Sequence, residues 1–361
     1  MTLLADPRKE SARSLMERVL GSARLASEQP LLFDERFPGR ILALHEGSEV
    51  RSACALLTRD FLADGSRVRG GLIGSVATDP EWRSRGFATR VLIGAEARLQ
   101  RQGCAFVLLW ADDPDFYLRR GYGPIGREQD FVVDMDLAAR LPEPRGARPM
   151  RPEDARAIHA LYAVHPERVE RSAKETAALL ACPGMSTLVR EHAGEVVAYA
   201  CLGRGADLAD AIHEWGGREE DVLALLRAHL EARRVAGASP GIFFMTPPSA
   251  RGLCQRLTAL GAISRLGMLG LGKILDREAA FALLRERIGP RGTVALDRSV
   301  AGRPFHFRGP RAEATLDDEG CLALLFGVEG VRADVAGFLA NLGLEEARLP
   351  LDLFAWGLDS I

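Results

Sequence analysis

One stretch leaves this chain little freedom in how it folds. Leu72, Ile73, Val76 and Thr78 suit a pleated, half-buried strand. Asp79-Pro80 ends that strand, because proline has no N–H to give a sheet ladder. Arg83 to Ala88 form a tight basic loop, and Val91, Leu92, Ala95 and Leu99 then recur at helical spacing from Phe87 to Gln102, where Gly103 stops the helix. The start of a helix presents unpaired N–H groups and the positive end of its dipole. Gly86 lets an anion approach the backbone, Ala88 keeps the next position small, and Arg83 and Arg85 add two charges. Strand, loop and helix together predict a seat for a pyrophosphate.

The continuation sharpens this reading. A strand is expected from Ala105 to Ala111, followed by Asp115-Phe116-Tyr117-Leu118-Arg119-Arg120-Gly121-Tyr122. Arg83-x-x-Gly86-x-Ala88 after a Val-containing strand, with Phe-Tyr-x-x-x-Gly-Tyr at this distance, resembles the acetyl-CoA loop and downstream segment of GCN5-related N-acetyltransferases (GNAT). On the six-position pattern alone, a basic loop capping an ordinary strand–helix turn reads equally well.

The rest of the composition excludes more than it assigns. The chain has 361 residues, enough for two or three domains, and 47% are hydrophobic. Lys plus Arg number 47 and Asp plus Glu 49, a formal charge of -2 that argues against a general nucleic-acid binder. The six cysteines are scattered singly, so neither a disulfide framework nor a zinc site is indicated, and most read as buried thiols. The seven histidines lack ligand spacing, and His213-Glu214 is not followed by the second histidine of a zinc motif, so no metal is assigned. The N-terminal residues turn polar at once and no apolar run approaches ~20 residues, so neither a signal peptide nor a membrane span is expected, and a reducing cytoplasm is the expected compartment.

In chain order, residues 1–38 read as mostly helical, with Leu15, Val19 and Leu20 on one face and Pro30 as a breaker. Strands are expected at 41–45 and 53–58, and a further strand, Phe131 to Met135, closes the first unit. Leu141 to Pro149 reads as a linker. A second unit follows, with helices at 155–162, 219–233 and 252–260 and strands at 187–191, 196–202, 209–215 and 242–245. This repeats the order of the first unit and reads as a diverged duplication. The second copy has Glu219-Glu220-Asp221 where the first has its basic loop, and three carboxylates there would repel a pyrophosphate. It also has Leu257 where the first has Tyr117, which suggests a structural or substrate-shaping role. Gly267 to Lys273 matches most of a phosphate loop, but Ile274 stands where Ser or Thr should hold magnesium, and the segment reads instead as the end strand of copy two. Residues 276–361 form a third unit, with helices at 276–288 and 331–342 and strands at 293–296, 305–307, 312–316 and 322–326. Its apolar end, Leu349 to Ile361, is suited to being tied down.

Two tandem acetyltransferase-like units (1–140 and 146–275) plus a small α/β unit (276–361) resemble the enhanced intracellular survival (Eis) acetyltransferases. The resemblance implies an α/β fold of two tandem GNAT-like mixed-sheet domains followed by a sterol-carrier-protein-like domain. It implies acetyl-CoA as cosubstrate and a primary amine as acceptor: an aminoglycoside, a polyamine or a lysine side chain. Residue by residue, Val76, Ala77 and Thr78 would pair with the pantetheine. Arg83, Ser84, Arg85, Gly86, Phe87, Ala88 and Thr89 would hold the pyrophosphate. Asp112 would lie near the coenzyme, Tyr117 would protonate the leaving thiolate, and the free carboxylate of Ile361 would take the amine proton. The family ends in an aromatic residue, so Ile361 departs in side chain while keeping the carboxylate. The Asp112-Asp113-Pro114-Asp115 run departs from a Gly-rich family version; these carboxylates could cap the Phe116 helix or draw a cationic amine. Tyr117 could instead pack on the coenzyme, and the tail could be a packed terminus only. The resemblance also implies homo-oligomers. The competing reading is a non-catalytic acyl-CoA or apolar-ligand sensor on the same fold.

Overall fold

The computed structural model describes residues 2–5, 9–239, 241–300 and 302–361. Its first sheet runs Thr2–Ala5, Arg40–Glu46, Glu49–Ala63, Ser66–Thr78, Phe106–Leu109, Gly270–Ile274, Gly123–Ile125, with Arg168–Val169 added to Glu49–Ala63. Period-two alternation gives this sheet two apolar faces. Leu42, Leu44, Cys54, Leu56, Ile73, Val107 and Leu109 pack with Val91, Leu92, Ala95 and Leu99 of helix Phe87–Arg101. Ile41, Ala43, Ala53, Ala55, Leu72 and Leu108 belong to the other core, with Ala12, Leu15 and Met16 of helix Lys9–Leu20. Each fully buried aliphatic side chain contributes roughly 1.5–3 kcal/mol, so helix Phe87–Arg101 is held by its apolar stripe rather than by propensity.

The second sheet runs Ile263–Gly267, Glu128–Asp134, Gly241–Thr246, Ala211–Gly217, Glu195–Leu202, Ser186–His192, Ala147–Pro149. Helix Glu219–Val235 packs on it, burying Val222, Leu223, Leu226 and Leu230. A third, antiparallel sheet joins Thr293–Leu296, Phe305–Arg308 and Glu313–Leu316.

Two strands lie in the sheet opposite to the one expected. Phe131 does not close the first sheet: Glu128–Asp134 sits in the second, between Gly241–Thr246 and Ile263–Gly267. The segment expected to end copy two instead enters the first sheet, where Gly270–Ile274 separates Phe106–Leu109 from Gly123–Ile125. The crossing segments touch, with the Leu269 N–H donating to the Ile125 carbonyl at 3.2 Å. Alternation marks a strand but not its sheet, so sequence could not separate the two outcomes. The glycines of the phosphate-loop-like run serve this packing. A Cβ on Gly270 would lie 2.7 Å from the Leu109 carbonyl oxygen, and one on Gly272 would meet the Ile125 side chain. Lys273 is used as well, its Nζ lying 2.9 Å from Glu96.

Other differences are local. The first 38 residues include a strand, Thr2–Ala5, besides helices Lys9–Leu20, Leu25–Glu28 and Pro30–Phe33; Pro30 opens a helix as its first residue, and Leu20 is exposed. Part of the expected linker is the edge strand Ala147–Pro149. Helix Ala173–Leu180 was not anticipated, although Ser172 and Glu175 form a capping box. The expected strand 322–326 is the end of helix Asp318–Phe326. Its apolar run is buried all round and so has no period to read, whereas the Asp317 side chain accepting from the Gly320 N–H at 2.8 Å marks the helix start. Among the described residues no helix is long and apolar enough to cross a membrane.

Candidate active site

The site begins where one strand pair parts. Ser66–Thr78 runs parallel to Phe106–Leu109 only from Gly70↔Phe106 to Leu72↔Leu108. Beyond Leu72, Ser66–Thr78 keeps only its antiparallel partner Glu49–Ala63, and that register breaks between Ala53↔Ala77 and Ala55↔Gly74. Ser75 and Val76 therefore oppose Cys54 alone as a bulge, and Ser75 adopts φ 50°. Backbone groups on the open side are left to face whatever enters the gap. Ala77 pairs with Ala53, and the Thr78 hydroxyl lies 2.9 Å from that of Ser52.

The basic loop is exposed and stiffened from beneath. Asp79 accepts from the Glu81 N–H at 3.2 Å and pairs with Arg51 at 3.3 Å. The Arg51 and Arg85 guanidinium groups lie 4.7 and 4.8 Å from the Trp82 ring. Ser84 (φ 59°) and Gly86 (φ 76°) turn the chain into the helix, and nothing stands within 4 Å of where a Gly86 Cβ would be. Arg83, Ser84, Arg85 and Gly86 are exposed, Ala88 is half-buried, and Phe87 is buried with its ring 5.2 Å from Trp82, so Phe87 offers its backbone and not its ring. The Thr89 hydroxyl is taken by Arg120, which donates from Nη2 at 2.7 Å and lies over the Phe116 ring at 3.7 Å. Arg120 thus joins the loop helix to the short helix Pro114–Leu118 that carries Tyr117.

Tyr117 packs edge-on to Phe116 and Tyr122, with ring centroids 4.9 and 5.6 Å away. Burial among these rings pushes its phenol up to about 12. The Tyr122 hydroxyl is held by Glu96 at 2.9 Å. Asp112, Asp113 and Asp115 are exposed, and Asp113, at the N-cap, makes no side-chain cap bond, so the capping role expected of this run is not taken up there.

The C-terminal tail enters from the other side. Leu353 to Asp359 are buried, and Ile361 ends against the bulge: a Cβ on Gly74 would collide with the Ile361 carbonyl carbon and oxygen and lie 3.0 Å from its Cγ1. Gly74 itself was not singled out from the sequence. The available signal was a glycine inside a strand pattern, which marks a bulge or a close approach. Arg120, Arg51 and Trp82 were also missed, because the Arg120–Thr89, Arg51–Asp79 and Arg51–Trp82 contacts that tie the loop join residues distant in sequence. Among the described residues no cluster of His, Cys, Asp and Glu could hold a metal ion.

A parallel strand pair that splays at a bulge, followed by an exposed basic loop on a helix N-terminus, is the arrangement expected of a GNAT domain. Residues 7–125 match the family model of the acetyltransferase (GNAT) domain, so the chain carries such a domain and is an N-acetyltransferase. Among curated proteins none matches the sequence. Several solved structures share the fold over essentially the whole chain. A probable N-acyltransferase from Enterococcus faecalis aligns with TM-score 0.72 at 12% identity, covering 100% of this chain and 99% of its own. A GCN5-related N-acetyltransferase from Kribbella flavida aligns with TM-score 0.68 at 16% identity, covering 100% of both chains. Eis1 from Mycobacterium abscessus aligns with TM-score 0.58 at 17% identity, covering 99% of this chain and 98% of its own.

Proposed function

We propose that the protein transfers acetyl from acetyl-CoA to a primary amine of a small cationic acceptor, such as an aminoglycoside-like amine, a polyamine or a lysine side chain. The observation that carries this reading is the C-terminus lying against Gly74, beside the bulge where the strands part. The pyrophosphate would rest on the Arg83–Thr89 turn, drawn by two guanidinium charges and the first-turn N–H groups. The pantetheine would lie along Val76 to Thr78, near Asp112. The amine then attacks the thioester carbon as the C–S bond breaks. The Ile361 carboxylate accepts the amine proton, and Tyr117 gives its proton to the departing sulfur. A phenol raised to about 12 stays protonated at neutral pH and is available as that acid. The exposed Asp112, Asp113 and Asp115 would favour a cationic acceptor. On this reading the second sheet belongs to a GNAT-like unit that has lost its coenzyme site, the C-terminal unit resembles sterol carrier proteins, and the chain works as a homo-oligomer.

The test is thiol release from acetyl-CoA with a panel of amines, using wild type and Tyr117→Phe. Turnover with at least one amine, lowered about 10²-fold or more by Tyr117→Phe at unchanged KM for acetyl-CoA, is the expected result. Coenzyme binding without turnover for every amine would instead identify a sensor.

A further inference from the structure

The second sheet splays as the first does. Ala211–Gly217 runs parallel to Gly241–Thr246 only at Ala211↔Phe243 and Ile212↔Phe244. In the first sheet the corresponding stretch beyond the last parallel pair borders the open gap. In the second it is covered by the chain's own tail. Gly357 packs on His213, a Cβ there falling 2.6 Å from the imidazole Cγ, and the Trp356 ring meets Trp215 at 5.2 Å. Asp359, two residues on, reaches Arg171 at 3.2 Å, which in turn holds Glu214. The tail thus lies on one splayed strand at 356–359 and on the other at Ile361. Two residues span at most ~7 Å, so any error in seating the tail is transmitted directly to its terminal carboxylate.

One side chain fixes the last peptide unit. Arg204, 5% exposed, donates from Nη1 to the Gly357 carbonyl at 2.6 Å and to the Ser360 carbonyl at 3.2 Å. From Nη2 it donates to the Glu28 carbonyl at 3.1 Å and the Gln29 side-chain oxygen at 2.8 Å. It therefore ties the carbonyl next to Ile361 both to the second sheet, from which Arg204 emerges, and to the Glu28–Gln29 turn of the N-terminal segment. A planar guanidinium can hold four such acceptors at fixed angles, which a lysine ammonium cannot.

We infer that Arg204 is a positioning residue for the Ile361 carboxylate, and that the splayed strand of the second sheet serves as the seat of the tail. This rests on the reading above, in which that carboxylate accepts the amine proton. Arg204 holds the tail at Gly357 and Ser360, and on this inference it acts on turnover only through the seating of Ile361.

The test is a double-mutant cycle on kcat, using Arg204→Ala, a chain lacking Ile361, and the two combined, with Arg204→Lys run through the same cycle. Arg204→Ala is expected to lower kcat at least tenfold with KM for acetyl-CoA unchanged, and guanidinium ion is expected to restore part of it. Arg204→Ala is expected to cost nothing further once Ile361 is gone, because residues acting as a unit are non-additive. Additive losses, or no guanidinium rescue, would overturn the inference. Should Arg204→Ala not fold, the Lys variant must give the same non-additive loss. If removal of Ile361 leaves kcat unchanged, the proton-acceptor reading fails and this inference with it. If that removal abolishes turnover while both Arg204 variants retain wild-type kcat, only the positioning role fails.

Discussion

Gly74 and Ile361 are 287 positions apart in sequence, yet the main-chain carbonyl of Ile361 occupies the space a Gly74 Cβ would need. Gly74→Ala therefore must displace the tail or the bulge. Turnover is expected to fall on the order of 10²-fold, the scale of an ångström-level misplacement of a reacting group. Gly65→Ala serves as the control, since nothing lies within 4 Å there, although its positive φ carries its own strain. Steady-state thiol release checks this; unchanged kcat in Gly74→Ala would place the catalytic point elsewhere.

The loop makes a separable prediction. Gly86 sits at φ 76° with open space around it, so Gly86→Val brings both backbone strain and bulk into the anion seat. KM for acetyl-CoA is expected to rise at least tenfold, and the strain of a β-branched residue at positive φ is expected to lower Tm as well. Arg83→Ala should raise KM less, and by an amount that shrinks with added salt, because an exposed charge is screened.

The phenol sets a pH expectation. Burial raises Tyr117 to about 12, so its proton remains in place across neutral and mildly alkaline pH. The profile of kcat should have no basic limb from this group below about pH 10. Its folded value exceeds its unfolded value, so it costs no stability until pH passes the unfolded value and disfavours folding above it. A phenol ultraviolet titration comparing wild type with Tyr117→Phe reads the group directly; a difference step near pH 10 would contradict the burial argument.

Arg171 lies fully buried between Glu214, Asp359 and the Tyr162 ring, the last at 3.6 Å. Tyr162 and Tyr199 donate to Asp359 and Glu214 at 2.8 and 3.0 Å. Removing the cation leaves two carboxylates out of water, so Arg171→Met is expected to destabilise by about 3–5 kcal/mol. Urea unfolding measures it. A cost below about 1 kcal/mol would mean the cluster is wetter than its geometry indicates.

His229 is buried on helix Glu219–Val235, its ring 3.2 Å from the Ala200 carbonyl, and burial lowers it to about 4. Its folded value lies below its unfolded value near 6.5. Stability is therefore retained above pH 6.5 and lost as pH falls from there toward 4. His229→Gln should flatten that limb by about 1.4 kcal/mol per pH unit, read from denaturant midpoints at several pH values.

The sequence by itself determined the local chemistry. The strand, proline stop, basic loop and helix from Leu72 to Gln102 formed as their periods and punctuation require, while Tyr117 was picked out through the family resemblance of its segment. These features are written in neighbouring residues, where sterics and hydrogen bonding act over a few positions. Tertiary structure decided which sheet receives Glu128–Asp134 and Gly270–Ile274, because both sheets ask for the same alternation. It also decided that an apolar tail threads between the two sheets to end at Gly74, held by Arg204. Those contacts join positions hundreds of residues apart, and no local pattern carries them; they exist only once the cores have packed and left one path for the chain's end.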